Sequence, residues 1–195
     1  MAGYRATIGL LQALKECLSL RMKALMGGNP SVVLVGSQEL NDSPTIEALG
    51  IYLYRFSVDP FARNRYLSPI EGRKTSRPEL PVNLHILLIG WSNNTESEIA
   101  YLSAAMQIIG SAMNFGISHV GTSDPSWGET DSVQIIPEEM SSDHLCRLWD
   151  CFPGGYRLSV PYAIKTVRLA PDEEQSEEPL VKTLVYPFAR REASP

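Results

Sequence analysis

The segment from Pro81 to Trp91 constrains the fold of this chain more than any other stretch. Alternate residues of a β-strand point to opposite faces of a sheet. One face of this segment carries Val82, Leu84, Ile86 and Leu88, and the other carries Asn83, His85, Leu87 and Ile89. Because such a strand is apolar on nearly both faces, it must be covered on both. We therefore predict a central strand, in which His85 is a hydrogen-bonded imidazole of the core or of an interface.

A polar turn and a helical pattern follow this strand. Thr95 and Glu98 have the spacing of a capping box. Apolar residues then recur at helical spacing, at Ile99, Leu102, Met106, Ile109 and Met113. We predict a helix over residues 96–113 that packs on the sheet, with Met106 in the core.

The turn itself, Gly90-Trp-Ser-Asn-Asn-Thr, has the outline of a nucleotide-binding loop or of a nucleophile elbow. A phosphate loop needs several glycines and a lysine, whereas this turn has one glycine and no lysine. An elbow needs a second glycine where Asn94 stands. The turn is interpreted as part of the frame of the fold, and a small hydrolase using Ser92 is kept as a minor alternative.

The remaining patterns complete a mixed α/β (α+β) domain. An N-terminal helix with apolar residues from Ile8 to Leu25 ends at Gly27-Gly28. β-Branched runs predict strands over 31–36, 51–58, 132–136 and 156–169, and a short third helix precedes Pro153. Pro161 favours an edge position or a bulge for the last strand. We predict a mixed sheet flanked by three helices over residues 1–170, followed over 171–195 by an acidic linker and an extended C-terminal arm.

Composition narrows the functional classes. The net charge of −5 argues against a nucleic-acid partner, because such affinity depends on Lys and Arg contacts to phosphate. The longest apolar run is too short for a membrane span, and the N-terminus lacks a secretory pattern, so we expect synthesis in the cytoplasm and no membrane contact. The three cysteines are predicted to be buried thiols, and we expect no metal site, no cofactor and no catalytic residue.

Four ordered blocks of sequence resemble one family, the tail-terminator or cap proteins of contractile injection systems. The blocks are "LGIYLYRFSVDPFARN", "RPELPVNLHILLIGWSNNTESEIAYLSAAMQIIG", the helix "LCRLWDCF" and the strand "YRLSVPYAIKTVRL". The resemblance implies a structural protein whose copies form a six-fold ring. This ring binds the last layer of the sheath and inner tube of a phage-tail-like particle. Such a ring ends polymerisation at the end distal to the baseplate. Another ring or adaptor component of the same particle is the alternative.

Two segments are candidate protein interfaces. Residues 55–77 have a local balance of +4, and their binding candidates are Arg63, Arg65, Arg73, Lys74 and Arg77. In the tail, five carboxylates over 172–178 precede an apolar stretch with Val181, Val185 and Phe188. That stretch either docks on a neighbouring subunit or the sheath, or folds back onto its own domain. The sequence leaves these two destinations open.

Overall fold

The structure is a computed structural model that describes residues 5–61, 80–111, 114–116 and 132–169. The described residues form three α-helices, namely α1 (Ala6–Met26), α2 (Thr95–Ser111) and α3 (Ser142–Trp149). They also form six strands, namely β1 (Ser31–Leu34), β2 (Ala48–Val58), β3 (Leu80–Trp91), β4 (Asn114–Gly116), β5 (Ser132–Pro137) and β6 (Ser159–Leu169). A 3₁₀ turn spans Glu39–Asn41. None of the described helices is both long and apolar enough to cross a bilayer.

The strands form one mixed sheet in the order β1-β2-β3-β6-β5-β4. β1 pairs with β2 in parallel, and all other neighbours are antiparallel. β3 lies between β2 and β6, and every residue from Pro81 to Trp91 is buried. The prediction of a central strand covered on both faces is therefore confirmed, and so is the predicted fold class.

The two faces of the sheet bury two separate cores. The larger core packs α1 and α2 against one face of β3 and includes Leu10, Leu14, Leu84, Ile86 and Leu102. The smaller core packs α3 and the segment after β1 against the opposite face. Its centre is Trp149, which is 2% exposed and whose indole N–H donates to Ser159 Oγ over 3.0 Å. Helices on both faces give β3 the cover that its sequence demands.

The prediction of an edge position for the last strand is wrong, and the bulge that this strand does contain is not at Pro161. β6 has a neighbour on each side, and its register shift against β3 lies between residues 164 and 167. The Pro161 carbonyl accepts the Glu138 N–H just beyond the end of β5, over 3.1 Å. Since the nitrogen and carbonyl of one strand residue point to the same side, the missing N–H of Pro161 faces the region where β5 has ended. Proline thus costs no ladder bond there.

The predicted helical stripes are correct only in part. Met106 is 43% exposed and Ile99 is 51% exposed, so Met106 is not a core residue. The face of α2 that meets the sheet consists of Leu102, Ala104, Ala105, Ile108 and Ile109. On α1, the predicted Ile8 and Leu25 are likewise exposed, and Ala6, Leu10 and Ala13 are buried instead. Large side chains dominate a hydropathy pattern, whereas these helices approach the sheet partly through alanine.

Candidate interaction surface

The polar turn after β3 is occupied by local hydrogen bonds. Ser92 is 2% exposed, and its hydroxyl accepts the Asn94 N–H over 2.9 Å. The side-chain Oδ1 of Asn94 accepts the Glu96 N–H over 3.0 Å, and the backbone carbonyl of Asn94 accepts the Glu98 N–H. Asn94 rather than the predicted Thr95 is therefore the N-cap of α2. The turn starts a helix, and Ser92 presents no free hydroxyl to a substrate.

Gly90 has a steric role in the same turn. A Cβ atom at Gly90 would lie 2.8 Å from the Glu98 Cβ and 3.0 Å from its Cα. The missing side chain therefore lets the first turn of α2 approach the end of β3. This accounts for the single glycine of the turn without a phosphate ligand.

A polar cluster inserted in the sheet is the strongest chemical feature of the described residues. The His85 Nε2 lies 2.7 Å from Ser57 Oγ, and its Nδ1 lies 2.8 Å from Glu138 Oε1. The Tyr54 hydroxyl donates to Glu138 Oε2 over 2.7 Å. We call Tyr54, Ser57, His85 and Glu138 the His85 cluster. It joins β2, β3 and the residue after β5, and it confirms the prediction of a hydrogen-bonded imidazole.

The His85 cluster links a serine, a histidine and a carboxylate in the order of a catalytic triad. Its serine does not, however, occupy the structural position of a nucleophile. A nucleophilic serine sits on an exposed turn beside N–H groups that can bind an oxyanion. Ser57 lies instead within β2, paired with Asn83 of β3. Glu138 is shared with Tyr54, whose pKa is raised by burial, by the hydrogen bond to Glu138 and by that carboxylate's charge. The cluster ties β2 and β3 to the residue that follows β5.

The other predicted chemical groups do not converge. Among the described residues, no group of three or more His, Cys, Asp or Glu side chains is arranged to hold a metal ion. The prediction of buried thiols is wrong for Cys146 and Cys151, which are exposed on and after α3. Cys17 is half-buried in α1, and burial raises the pKa of its thiol.

An exposed apolar patch lies where β2 ends and β3 begins. Its four side chains are Phe56 (56% exposed), Val58 (46%), Phe61 (86%) and Leu80 (43%). We call them the sheet-end patch. Phe56 pairs with Leu84 and Val58 with Val82, so these side chains share the face that α1 and α2 cover elsewhere. The helices leave this end of the face open.

A second exposed apolar area lies on the helices. Leu20 is 73% exposed on α1, and Leu25 and Met26 are exposed at its C-terminal end. A groove of about 340 Å³ between α1 and α2 is lined by Arg21, Ala24, Leu25, Gln107, Ile108 and Ser111. Large apolar side chains in clusters are typical of protein contact surfaces.

The interface residues predicted from the sequence lie outside the described part of the chain. These are Arg63, Arg65, Arg73, Lys74 and Arg77 of the basic segment and Val181, Val185 and Phe188 of the tail. Sequence reasoning missed the sheet-end patch, although Phe56, Val58 and Phe61 lie within the basic segment, residues 55–77, ahead of its five binding candidates. The sequence signal for this patch was the alternation of Phe56 and Val58, which places two large apolar side chains on one face near the end of β2. The helices that cover this face do not extend to that end.

Comparisons with known proteins place these features in a family. The sequence model of the Pvc16 N-terminal domain matches residues 9–183. The fold is similar to the sheath/tube terminator of the PVC extracellular contractile injection system in its extended state, with a TM-score of 0.57 and 16% identity. It is also similar to the tube-terminating cap of the anti-feeding prophage, with a TM-score of 0.59 and 16% identity. No curated protein sequence matches the chain.

These similarities cover nearly all of this chain but only part of the matched structures. The match to the PVC terminator spans 96% of this chain and 64% of that one, and the match to the prophage cap spans 91% and 59%. The chain thus corresponds to about three-fifths of the length of either terminator. The resemblance to tail terminators drawn from the sequence is confirmed by the family match and by the shared fold.

Proposed function

The chain belongs to the Pvc16 N-terminal domain family, and we propose on that premise that it is a structural cap of a contractile injection system. In this proposal six copies form a ring on the last layer of tube and sheath. The ring stops further polymerisation at the end distal to the baseplate. The observation that carries the proposal is a fold shared over 96% of the chain with a sheath/tube terminator.

The surface of the protein is compatible with ring formation. Contacts between two different patches of the same protein close into a ring when the rotation between subunits permits. The exposed apolar side chains of α1 and those of Leu34 and Ile46, at and after β1, lie on different elements and offer two such patches. The His85 cluster and the buried turn at Ser92 act as structural supports, so the proposed role is not enzymatic.

The proposed partners follow from this role. They are further copies of the chain, and the sheath and inner-tube proteins of the particle, without nucleic acid, cofactor or membrane contact. Assembly in the cytoplasm and release with the particle into the extracellular space complete the proposal. The net charge of −5 supports the exclusion of nucleic acid.

Two alternatives differ from the cap in testable ways. Another ring or adaptor component of the same particle would use the same fold but would lie at a different position along it. A hydrolase using Ser92 is disfavoured, because the hydroxyl is buried and already accepts a hydrogen bond.

The decisive experiment compares particles assembled with and without the chain by cryo-electron microscopy. Without the chain we expect tubes of uncontrolled length with open distal ends, and addition of the gene should restore uniform particles. Native mass spectrometry of the purified protein should give a species of six times the 21.6 kDa chain mass. Uniform particles in the absence of the chain would contradict the cap, and density for it at the baseplate would favour the adaptor.

A further inference from the structure

The position of the sheet-end patch determines which parts of the chain can reach it. Phe56, Val58 and Leu80 share one face at the end of the sheet where β3 begins. β6 ends at the same place, because Leu169 pairs directly with Leu80. The C-terminal segment therefore leaves the domain beside the patch.

The tail contains an apolar stretch at a suitable distance. Ten residues, 170–179, separate Leu169 from the stretch Leu180–Phe188, and they include the five carboxylates of the acidic linker. Ten residues span at most about 33 Å. The patch begins one strand away from β6 and extends to β2, two strand spacings or about 10 Å away. The spacer is long enough to reach across the patch without being taut.

We propose that the sheet-end patch is the docking site for residues 180–188 of the same chain. Phe56, Val58, Phe61 and Leu80 supply an apolar floor, and Val181 and Val185 supply apolar side chains of the stretch that covers it. The linker stays in solvent because its carboxylates favour hydration over burial. This docking goes beyond the cap proposal, since it concerns how one copy completes its own surface.

The tether selects the chain's own patch over that of a neighbour. A tether of ten residues holds its end at an effective concentration of roughly millimolar, far above the concentration of other copies in dilute solution. The sequence left open whether the tail reaches out or folds back. The exit of β6 beside an apolar face that the described helices leave exposed favours folding back.

Cross-linking in the full-length protein tests the proposal. In a background carrying Cys17→Ala, Cys146→Ser and Cys151→Ser, one cysteine replaces the exposed Pro60 beside the patch and another replaces Thr183 in the tail. Isotope-labelled and unlabelled copies are mixed before oxidation, so that mass spectrometry separates links within one copy from links between copies. We expect an efficient disulfide within single copies.

Paired variants identify the contacts. A reference protein has its first cysteine at Lys23 on α1 instead of at Pro60, and keeps the second at Thr183. The double variant Phe56→Glu with Val58→Glu should reduce the disulfide yield to that of this reference. Leu20→Glu, at an apolar site on α1 that is 73% exposed, should leave the yield unchanged. Should the patch variant fail to fold, Val181→Asp with Val185→Asp changes only the tail and should cause the same loss.

Three outcomes would overturn the proposal. Links mainly between labelled and unlabelled copies would make the tail an arm that docks on a neighbour. A disulfide yield that is unchanged in both double variants would show that the patch does not bind the tail. Hydroxyl-radical protection of Phe61 that persists in the tail variant would assign another occupant, such as residues 62–79. Each outcome concerns purified protein, so it leaves the cap assignment to be judged by the particle experiment.

Discussion

His85 uses both of its ring nitrogens to hold strands together. A carboxylate only accepts hydrogen bonds, so Nδ1–H donates to Glu138 at 2.8 Å, while Nε2 lies 2.7 Å from the Ser57 hydroxyl. The two partners are 28 and 53 residues away in sequence. Sequence reasoning predicted a bonded imidazole from its place in an apolar strand, but its partners depend on the pairing of β3 with β2 and of β6 with both β3 and β5. Those pairings are long-range, and local periodicity does not report them.

Tyr54 makes the stability of the domain sensitive to high pH. Burial and the Glu138 carboxylate raise the pKa of its hydroxyl above the ordinary 10.0. The folded state therefore keeps a proton that the unfolded chain loses as the pH passes about 10. The stabilisation is present in full below pH 10 and is lost progressively above it. Stability should consequently fall as pH rises from 10.

Tyr54→Phe tests this dependence. At pH 8 the variant should lose about 1 kcal/mol with the hydrogen bond to Glu138. Above pH 10 its free energy of unfolding should fall less steeply than that of the parent protein, so the difference shrinks. Urea unfolding at pH 8, 9, 10 and 11 measures both effects, with Tyr101→Phe on α2 as the control. Parallel pH curves for Tyr54→Phe and the parent would refute the assignment.

At the scale of elements, α2 shows where a helical pattern misleads. The spacing of Ile99, Leu102, Met106 and Ile109 fits a stripe, yet the structure turns the helix so that Ala104 and Ala105 face the sheet. Small residues let the helix axis come close to the strands, and longer side chains on either side then reach solvent. Helix existence and bounds within two residues followed from sequence. The buried face did not, because alanine carries little hydropathy signal.

Substitutions at two adjacent positions of α2 distinguish its buried face from its exposed face. Met106→Asp should change stability by no more than about 0.5 kcal/mol, because Met106 is 43% exposed. Ala105→Asp places a carboxylate at a position with 0% exposure, where an unpaired charge costs several kcal/mol or more. We expect the first protein to melt near the parent temperature and the second to be insoluble. Equal tolerance of both changes would mean that α2 does not pack on the sheet as described.

At the scale of the whole molecule, the sequence predicted the central strand, the three helices and the fold class. Each followed from a local pattern that the tertiary structure reinforced, as Ser141 shows by accepting the His144 N–H at the start of α3. The strand order and the sheet-end patch did not follow. Both depend on which strands become neighbours and on how far the helices extend over the sheet. These are properties of packing rather than of any one segment.

The basic segment gives a prediction for the assembled particle. Arg63, Arg65 and Arg73 lie in a stretch with a balance of +4 in a chain whose total is −5. They lie in sequence between Phe61 and Leu80 of the sheet-end patch. A concentrated positive segment suits an acidic partner surface, and the attraction should weaken as salt screens it. Changing the three arginines to serine should therefore reduce attachment to the particle, most visibly at low ionic strength, while circular dichroism shows a folded protein. The matched control changes Lys15, Lys23 and Arg147 to serine, which alters the net charge equally on described helices. Normal capping by the arginine variant would show that the basic segment does not govern attachment. Equal impairment of the control would show that net charge, and not this segment, governs it.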